Sequence, residues 1–290
     1  VDAQFGHAAV STALTVAMVA ARLKGIDMLL KNKVAVIYGA AGSIGAAVAR
    51  AFARDGGRVF LTGRRLAAVE AVAAEIQAAG GQAHAAEVDA LDAQAIDRHL
   101  DGLVERAGRL DISFNAAGFS NAKALGVPLT ELGLPQFLAP IADYTASYFL
   151  TARLAARRML ANKSGVILTV TALPGRAGTA LNGGYGAAQA AKEALTRDLS
   201  TELAPHGIRV VGLRPHGMPE TPVMREAFEL KAARSGMTWE QFQTFLANWS
   251  HPKRVMTLQE LANAAVFAAS DQASGLTGTT LNLTMGGASD

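Results

Sequence analysis

The 290-residue sequence contains no cysteine. This excludes a disulfide framework, thiolate catalysis and any cysteine-ligated metal site. Its six histidines are dispersed without paired ligand spacing, so no metal is expected. Aromatic residues make up only 6% of the chain, and the basic residues form no stripe, so the net charge of +3 is read as a mildly basic surface with no nucleic-acid partner. Long hydrophobic runs are also lacking. The uncharged, mostly apolar stretch Ala8–Ala21 falls short of the roughly 20 apolar residues of a membrane span. Val1–His7 offers no basic segment of the kind that opens a signal peptide. A cytoplasmic protein with no membrane attachment is therefore expected. Ala8–Lys31 reads as an extra helix within an N-terminal extension, residues 1–32, docking on the domain or on a neighbouring subunit.

What is present is an alternation. Half of the residues are hydrophobic, enough for a large core. From Lys33 onward, short apolar runs alternate with longer helical patterns. Strands are expected at Val34–Tyr38, Arg58–Thr62, Gln82–Val88, Leu110–Asn115, Gly165–Thr171, Ile208–Leu213 and Thr279–Thr284. Helices are expected at Ala46–Asp55, Leu66–Ala79, Asp92–Ala107, Gln136–Leu160, Tyr185–Leu203 and Asn263–Ser270. This order predicts one α/β domain, residues 33–290, built on a doubly wound parallel sheet of Rossmann type. No linker or internal repeat divides it.

The first strand runs into Gly39-Ala40-Ala41-Gly42-Ser43-Ile44-Gly45 and then a helix. Glycines at this spacing permit a tight turn, close approach of backbone to a pyrophosphate, and close packing of helix on strand. The helix N-terminus would present free N–H groups to the anion. The second strand ends Thr62-Gly63-Arg64-Arg65, where an NAD-selective site of this kind carries a carboxylate. Guanidinium groups suit a 2′-phosphate, so NADP(H) is expected in preference to NAD(H), with Arg64 as the leading contact and Arg65 second.

The motif order over about Lys33–Gly287 resembles the short-chain dehydrogenase/reductase family. The glycine turn, Gly39 to Gly45 with Ser43 at the middle glycine, is similar to the family's nucleotide-binding turn. Asp89 matches the aspartate that meets the adenine, Asn115-Ala116-Ala117-Gly118 the segment closing the fourth strand, and Leu281–Gly287 the last strand. Thr221 occupies, within one residue, the place of the residue that meets the nicotinamide carboxamide. The resemblance also implies a homodimer or homotetramer, built on the helices around Gln136–Leu160 and Tyr185–Leu203.

The catalytic pattern departs from the family. Tyr185 matches its acid/base tyrosine, but the serine position holds Ala172, the lysine position Gln189 and the asparagine position Asp143. Gln189 cannot lower a tyrosine pKa electrostatically, although its amide can hydrogen-bond a ribose. Thr171 is a poor substitute for the serine, because adjacent strand residues point to opposite faces. Lys192, seven residues beyond Tyr185, is on a similar helical face about a turn further along than Gln189; it either reaches the site or, the favoured expectation, faces solvent. His216, in Pro215-His216-Gly217, is a candidate replacement acid/base, set against a loop histidine without chemistry.

Thr221–Met256, about residues 221–256, is where the family carries its substrate lid. Trp239, Phe242, Leu246 and Trp249 recur there at helical spacing, a stripe that packs on its own domain or lines a pocket for a bulky apolar small molecule. Two functions remain open on these residues. One is an NADP-dependent oxidoreductase acting on a carbonyl, alcohol or imine, with Tyr185 as proton donor and altered helpers. The other is a homologue that binds cofactor or ligand without hydride transfer, to which Ala172 and Gln189 point. The halide-eliminating branch of the fold is disfavoured, since it lacks the nucleotide turn and keeps its serine.

Overall fold

The computed structural model describes residues 28–219 and 221–289. The expected helix Ala8–Lys31 lies outside these residues except for its last four positions. Met28–Lys31 is not helical: it enters turns, because Leu30 is buried and its N–H donates to the Asp55 carbonyl, 2.9 Å away. The segment leads into the sheet. It does not continue a helix.

Seven strands form one parallel sheet: β1 (Val34–Tyr38), β2 (Arg58–Gly63), β3 (Gln82–Glu87), β4 (Ile112–Asn115), β5 (Gly165–Val170), β6 (Ile208–Pro215) and β7 (Thr279–Leu283), in the order β3-β2-β1-β4-β5-β6-β7. The chain doubles back between β1 and β4. There the loops at the carboxyl ends of the strands diverge and leave a crevice.

Helices cover both faces, as a parallel sheet requires. On one side α1 (Ser43–Arg54) and α2 (Leu66–Ala78) pack with α8 (Leu258–Ala269) around Phe52, Val69, Leu261 and Val266. On the other, α3 (Ala93–Ala107), α4 (Leu134–Asn162) and α5 (Tyr185–Leu203) enclose Leu100, Tyr148, Ala155, Met159 and Leu199. Two further helices, α6 (Pro222–Arg234) and α7 (Trp239–Trp249), lie between β6 and α8.

Local chemistry sets the helix ends. Asp92 caps α3 by accepting from Gln94 and Ala95 N–H, and Gly108 ends it in the left-handed region at φ +78°. α8 starts five residues earlier than the expected Asn263, because Thr257 and Glu260 form a reciprocal capping box. Within α7, Phe242 is buried against Phe228 of α6, with ring centroids 5.4 Å apart. Among the described residues no helix is long and apolar enough to cross a membrane, and no group of three or more potential metal ligands exists.

The turn after β1 tolerates no side chain at Gly45. A Cβ there would overlap the Gly39 carbonyl oxygen and stand 2.9 Å from the Ala40 Cα. Gly45→Ala is therefore expected to destabilise the fold by about 1–3 kcal/mol, the typical cost of forcing a methyl into a packed site, as read by chemical denaturation.

Candidate active site

Gly39 turns the chain at φ +74°, and a Cβ on it would meet the Ala116 carbonyl oxygen at 2.5 Å. The turn is thereby wedged against the end of β4. Gly42 is different: a Cβ there would meet only the Gly39 carbonyl oxygen, at 3.3 Å, and Gly118 across the crevice has nothing within 4 Å. Gly42 is the N-cap of α1, makes no side-chain cap bond, and is followed by no acidic residue in the first turn. Gly42 is exposed, and Ser43 and Ile44 are half-buried. The first-turn N–H groups and the positive end of the helix dipole thus meet no carboxylate from the helix's own first turn.

Arg64 and Arg65 follow β2 and are both exposed; among the described residues neither has a carboxylate partner. Asp89, half-buried after β3, accepts from the Leu91 N–H with one oxygen at 3.0 Å. Asn115 is buried and directs its amide into α4, donating to Ser147 Oγ at 3.0 Å and Thr151 Oγ1 at 2.9 Å. Its side chain therefore joins β4 to α4, while Ala116 and Ala117 are half-buried and Gly118 is exposed.

Tyr185 opens α5, its N–H donating to the Asn182 carbonyl at 3.1 Å. Its ring meets Tyr144 of α4 edge-on, with centroids 5.5 Å apart at 78°. Tyr144 in turn meets Phe119 edge-on, and its hydroxyl is hydrogen-bonded to the Phe119 backbone at 3.2 Å. Burial, and then the neighbouring Tyr144, push the Tyr185 phenol above its ordinary pKa. Burial also raises Tyr144, with a smaller contribution from the Asp143 carboxylate. Asp143, at the asparagine position, thus makes itself felt at Tyr144. Sequence reasoning passed over Tyr144 as an active-site residue, although it directly follows Asp143.

The positions expected for the family's serine and lysine come together. Ala172 is half-buried and starts a 3₁₀ turn, Leu173–Gly175, that packs over α5. A Cβ on Gly175 would lie 3.2 Å from the Gln189 Cβ. Gln189 is buried, and its Oε1 has no hydrogen-bond partner among the described residues. Thr171 turns away, as strand alternation requires, and donates to Glu193 Oε1 at 3.0 Å. That carboxylate is held in a buried two-point pair by Arg214, at 2.7 and 2.9 Å.

Lys192 overturns the expectation of a solvent-facing side chain. It is 2% exposed, donates to the Val170 carbonyl at 2.5 Å, and its ammonium stands 5.7 Å from the Tyr144 ring centroid and 5.8 Å from that of Tyr148. Seven residues complete nearly two helical turns, so Lys192 lies on the same inward face as Tyr185, and the α4 rings accept its charge by cation–π contact. Burial lowers its pKa to about 7. The unfolded lysine titrates near 10.4, so between these values the unfolded chain binds more protons and stability rises with pH. Lys192→Met is expected to remove a slope of roughly 1 kcal/mol per pH unit between about pH 7 and 10, measurable by denaturation at each pH.

His216 is buried at the end of β6. Its Nδ1 faces the Gly217 carbonyl at 3.3 Å, and Nε2 has no partner among the described residues. Burial lowers its pKa, partly offset by the Gly217 hydrogen bond. The shift favours the neutral imidazole. Thr221 is buried and caps α6, accepting from the Met224 N–H at 3.2 Å.

A parallel sheet with a glycine turn beside its switch point, and a half-buried tyrosine opening the helix after β5, defines a nucleotide-binding oxidoreductase fold. Residues 39–287 match the family described as enoyl-(acyl carrier protein) reductase. YxbG of Bacillus subtilis (strain 168), an uncharacterised oxidoreductase, is 34% identical over 251 residues, which are 86% of this chain and 88% of its own. The 7α-hydroxysteroid dehydrogenase of Escherichia coli (strain K12) is 30% identical over 261 residues, covering 90% of this chain and 96% of that one. The crystal structure of sorbitol-6-phosphate 2-dehydrogenase from Erwinia amylovora matches with a TM-score of 0.83 at 27% identity, covering 88% of this chain and 100% of that one. The chain belongs to the short-chain dehydrogenase/reductase family of oxidoreductases, whose members bind a nicotinamide dinucleotide.

Proposed function

We propose that this protein is an NADP(H)-dependent oxidoreductase that interconverts a small-molecule carbonyl, or imine, and its alcohol or amine, with Tyr185 as proton donor. The observation that carries the cofactor assignment is the pair of exposed guanidinium groups at Arg64 and Arg65, without acidic partners among the described residues, where a dinucleotide's ribose would lie. The open backbone at Gly42 and Gly118 fits the same ligand. The α1 N-terminus, Ser43 and Ile44 would hold the pyrophosphate, Arg64 and Arg65 the 2′-phosphate, and Asp89 the adenine. The segment Asn115–Gly118 and Thr221 would border the remainder, with Gln189 offering its unpartnered amide oxygen to the ribose. When bound, the dinucleotide supplies or accepts the hydride.

Tyr185 O–H then donates its proton to the substrate oxygen or nitrogen. Tyr144, fixed by the Phe119 backbone, holds the Tyr185 ring in place. With Ala172 in the serine position, no hydroxyl there helps to polarise the carbonyl, so turnover of unactivated ketones is expected to be low. The names of the relatives, a hydroxysteroid dehydrogenase and a sorbitol-6-phosphate dehydrogenase, support an alcohol/ketone pair. A homodimer or homotetramer through α4 and α5 is part of this reading; Phe149 and Leu160 leave apolar surface exposed on α4. Ala172 also favours a second reading, cofactor binding without hydride transfer.

The test is a fluorescence titration of both cofactors. Arg64→Ala is expected to raise the NADPH Kd by about 10–100-fold, the worth of a charge-assisted hydrogen bond, with NADH affinity unchanged. An unaltered preference for NADPH would refute the assignment. NADPH binding without oxidation of NADPH on any aldehyde, ketone or imine would favour the second reading.

A further inference from the structure

The loops leaving the carboxyl ends of β4, β5 and β6 converge on Asn182, three residues before Tyr185. The Asn182 carbonyl accepts the Tyr185 N–H at 3.1 Å, and the preceding Leu181 carbonyl accepts Gly126 N–H at 2.9 Å. Leu181 itself is held at φ +60°, a conformation costly for a branched side chain. From α6, the Lys231 ammonium reaches across to donate to Asn182 Oδ1.

This arrangement has donors but no acid. Lys231 is 9% exposed and Asn182 5%. Among the described residues no carboxylate pairs with Lys231, and the Asn182 Nδ2 has no hydrogen-bond partner. An ammonium has three N–H donors, and Asn182 Oδ1 takes one. Among the described residues the ammonium's other donors meet no carboxylate, and the amide nitrogen beside that oxygen has no partner. A buried cation left so is costly, and an incoming anion would offset that cost. Burial alone holds the Lys231 pKa down to about 8.

The same helix supplies an apolar surface. Phe228 lies three residues before Lys231 and so shares its face. It packs within 3.2 Å of the site where a Gly217 Cβ would stand, and it begins a run of ring contacts through Phe242, Phe245 and Trp249 at 5.4, 5.8 and 5.7 Å.

We infer that Lys231 and Asn182 form a recognition site for an acidic group, a carboxylate or phosphate monoester, on a substrate whose remaining body is apolar. The inference deepens the proposed oxidoreductase reading, since it places that acid beside the tyrosine expected to act on the substrate. Lys231 and Asn182 are specificity residues in this account. Proton transfer stays with Tyr185.

Isothermal calorimetry of the full chain, with and without saturating NADPH, tests it using octanoate, octyl phosphate and the neutral octanamide. At least one of the two acids is expected to bind at least tenfold more tightly than octanamide, and the tighter of the two identifies the headgroup. Lys231→Met should abolish the preference and Lys231→Arg retain it. Asn182→Asp, which supplies an internal counter-charge, should also abolish it, and NADPH affinity should not move in any variant. Equal binding of acid and amide, no binding of either acid, or a preference that survives Lys231→Met would overturn the inference. Failure of NADPH to bind would instead remove the oxidoreductase reading, while an acid preference seen without cofactor would leave this site standing.

Discussion

Substituting phenylalanine for Tyr185 is expected to lower kcat for carbonyl reduction by about 10²–10⁴-fold, the usual contribution of a positioned proton donor, with NADPH affinity unchanged. The ring is retained, so the edge contact with Tyr144 survives and only the hydroxyl is lost. The direction of the pKa shift adds a second readout. Burial and Tyr144 hold the phenol protonated, which suits donation and opposes its use as a base. Reduction should be nearly flat between about pH 6 and 9, whereas alcohol oxidation, which needs the phenolate, should climb by up to about tenfold per pH unit over that range. Oxidation that reached a plateau near neutrality would show that another cation or base lowers or replaces Tyr185, with Lys192 and His216 the first to examine by substitution.

Breaking the Arg214–Glu193 pair should be the most damaging change to stability. Both side chains are 4% exposed, and the two-point contact also carries the Thr171 hydroxyl. Arg214→Met leaves Glu193 charged and buried, for which about 3–5 kcal/mol of destabilisation is expected. The double variant Arg214→Met with Glu193→Leu should recover most of that loss, because an apolar pair of similar volume avoids the desolvation of both ions. Urea denaturation of the two single variants and the double gives the coupling directly. Additive losses would mean that the pair does not act as a unit.

Much of the fold was legible because its signals are local. The strand runs, the glycine punctuation and the helix lengths each need only a few neighbours, and β1 and α5 fall at the expected residues. Misjudged boundaries have local causes too: the Thr257–Glu260 capping box sets the start of α8, and the Leu30 N–H bond to Asp55 holds Met28–Lys31 in turns. At the candidate site, the register from Tyr185 placed Ala172 and Gln189 on the sequence, and the structure packs the turn after one over the other. Thr171 points away, as strand alternation alone requires.

Sequence by itself determined an α/β nucleotide fold, a glycine turn free of acid in its first helical turn, and two arginines after the second strand. These features are set by composition and short-range spacing. Tertiary structure alone decided where the cations went. Helical periodicity put Lys192 on the face of Tyr185, but only the packing of α4 against α5 made that face an interior one. Arg214 found Glu193 across 21 positions and Lys231 found Asn182 across 49. Burial and charge pairing depend on which distant segments close over a residue, and no local pattern encodes that.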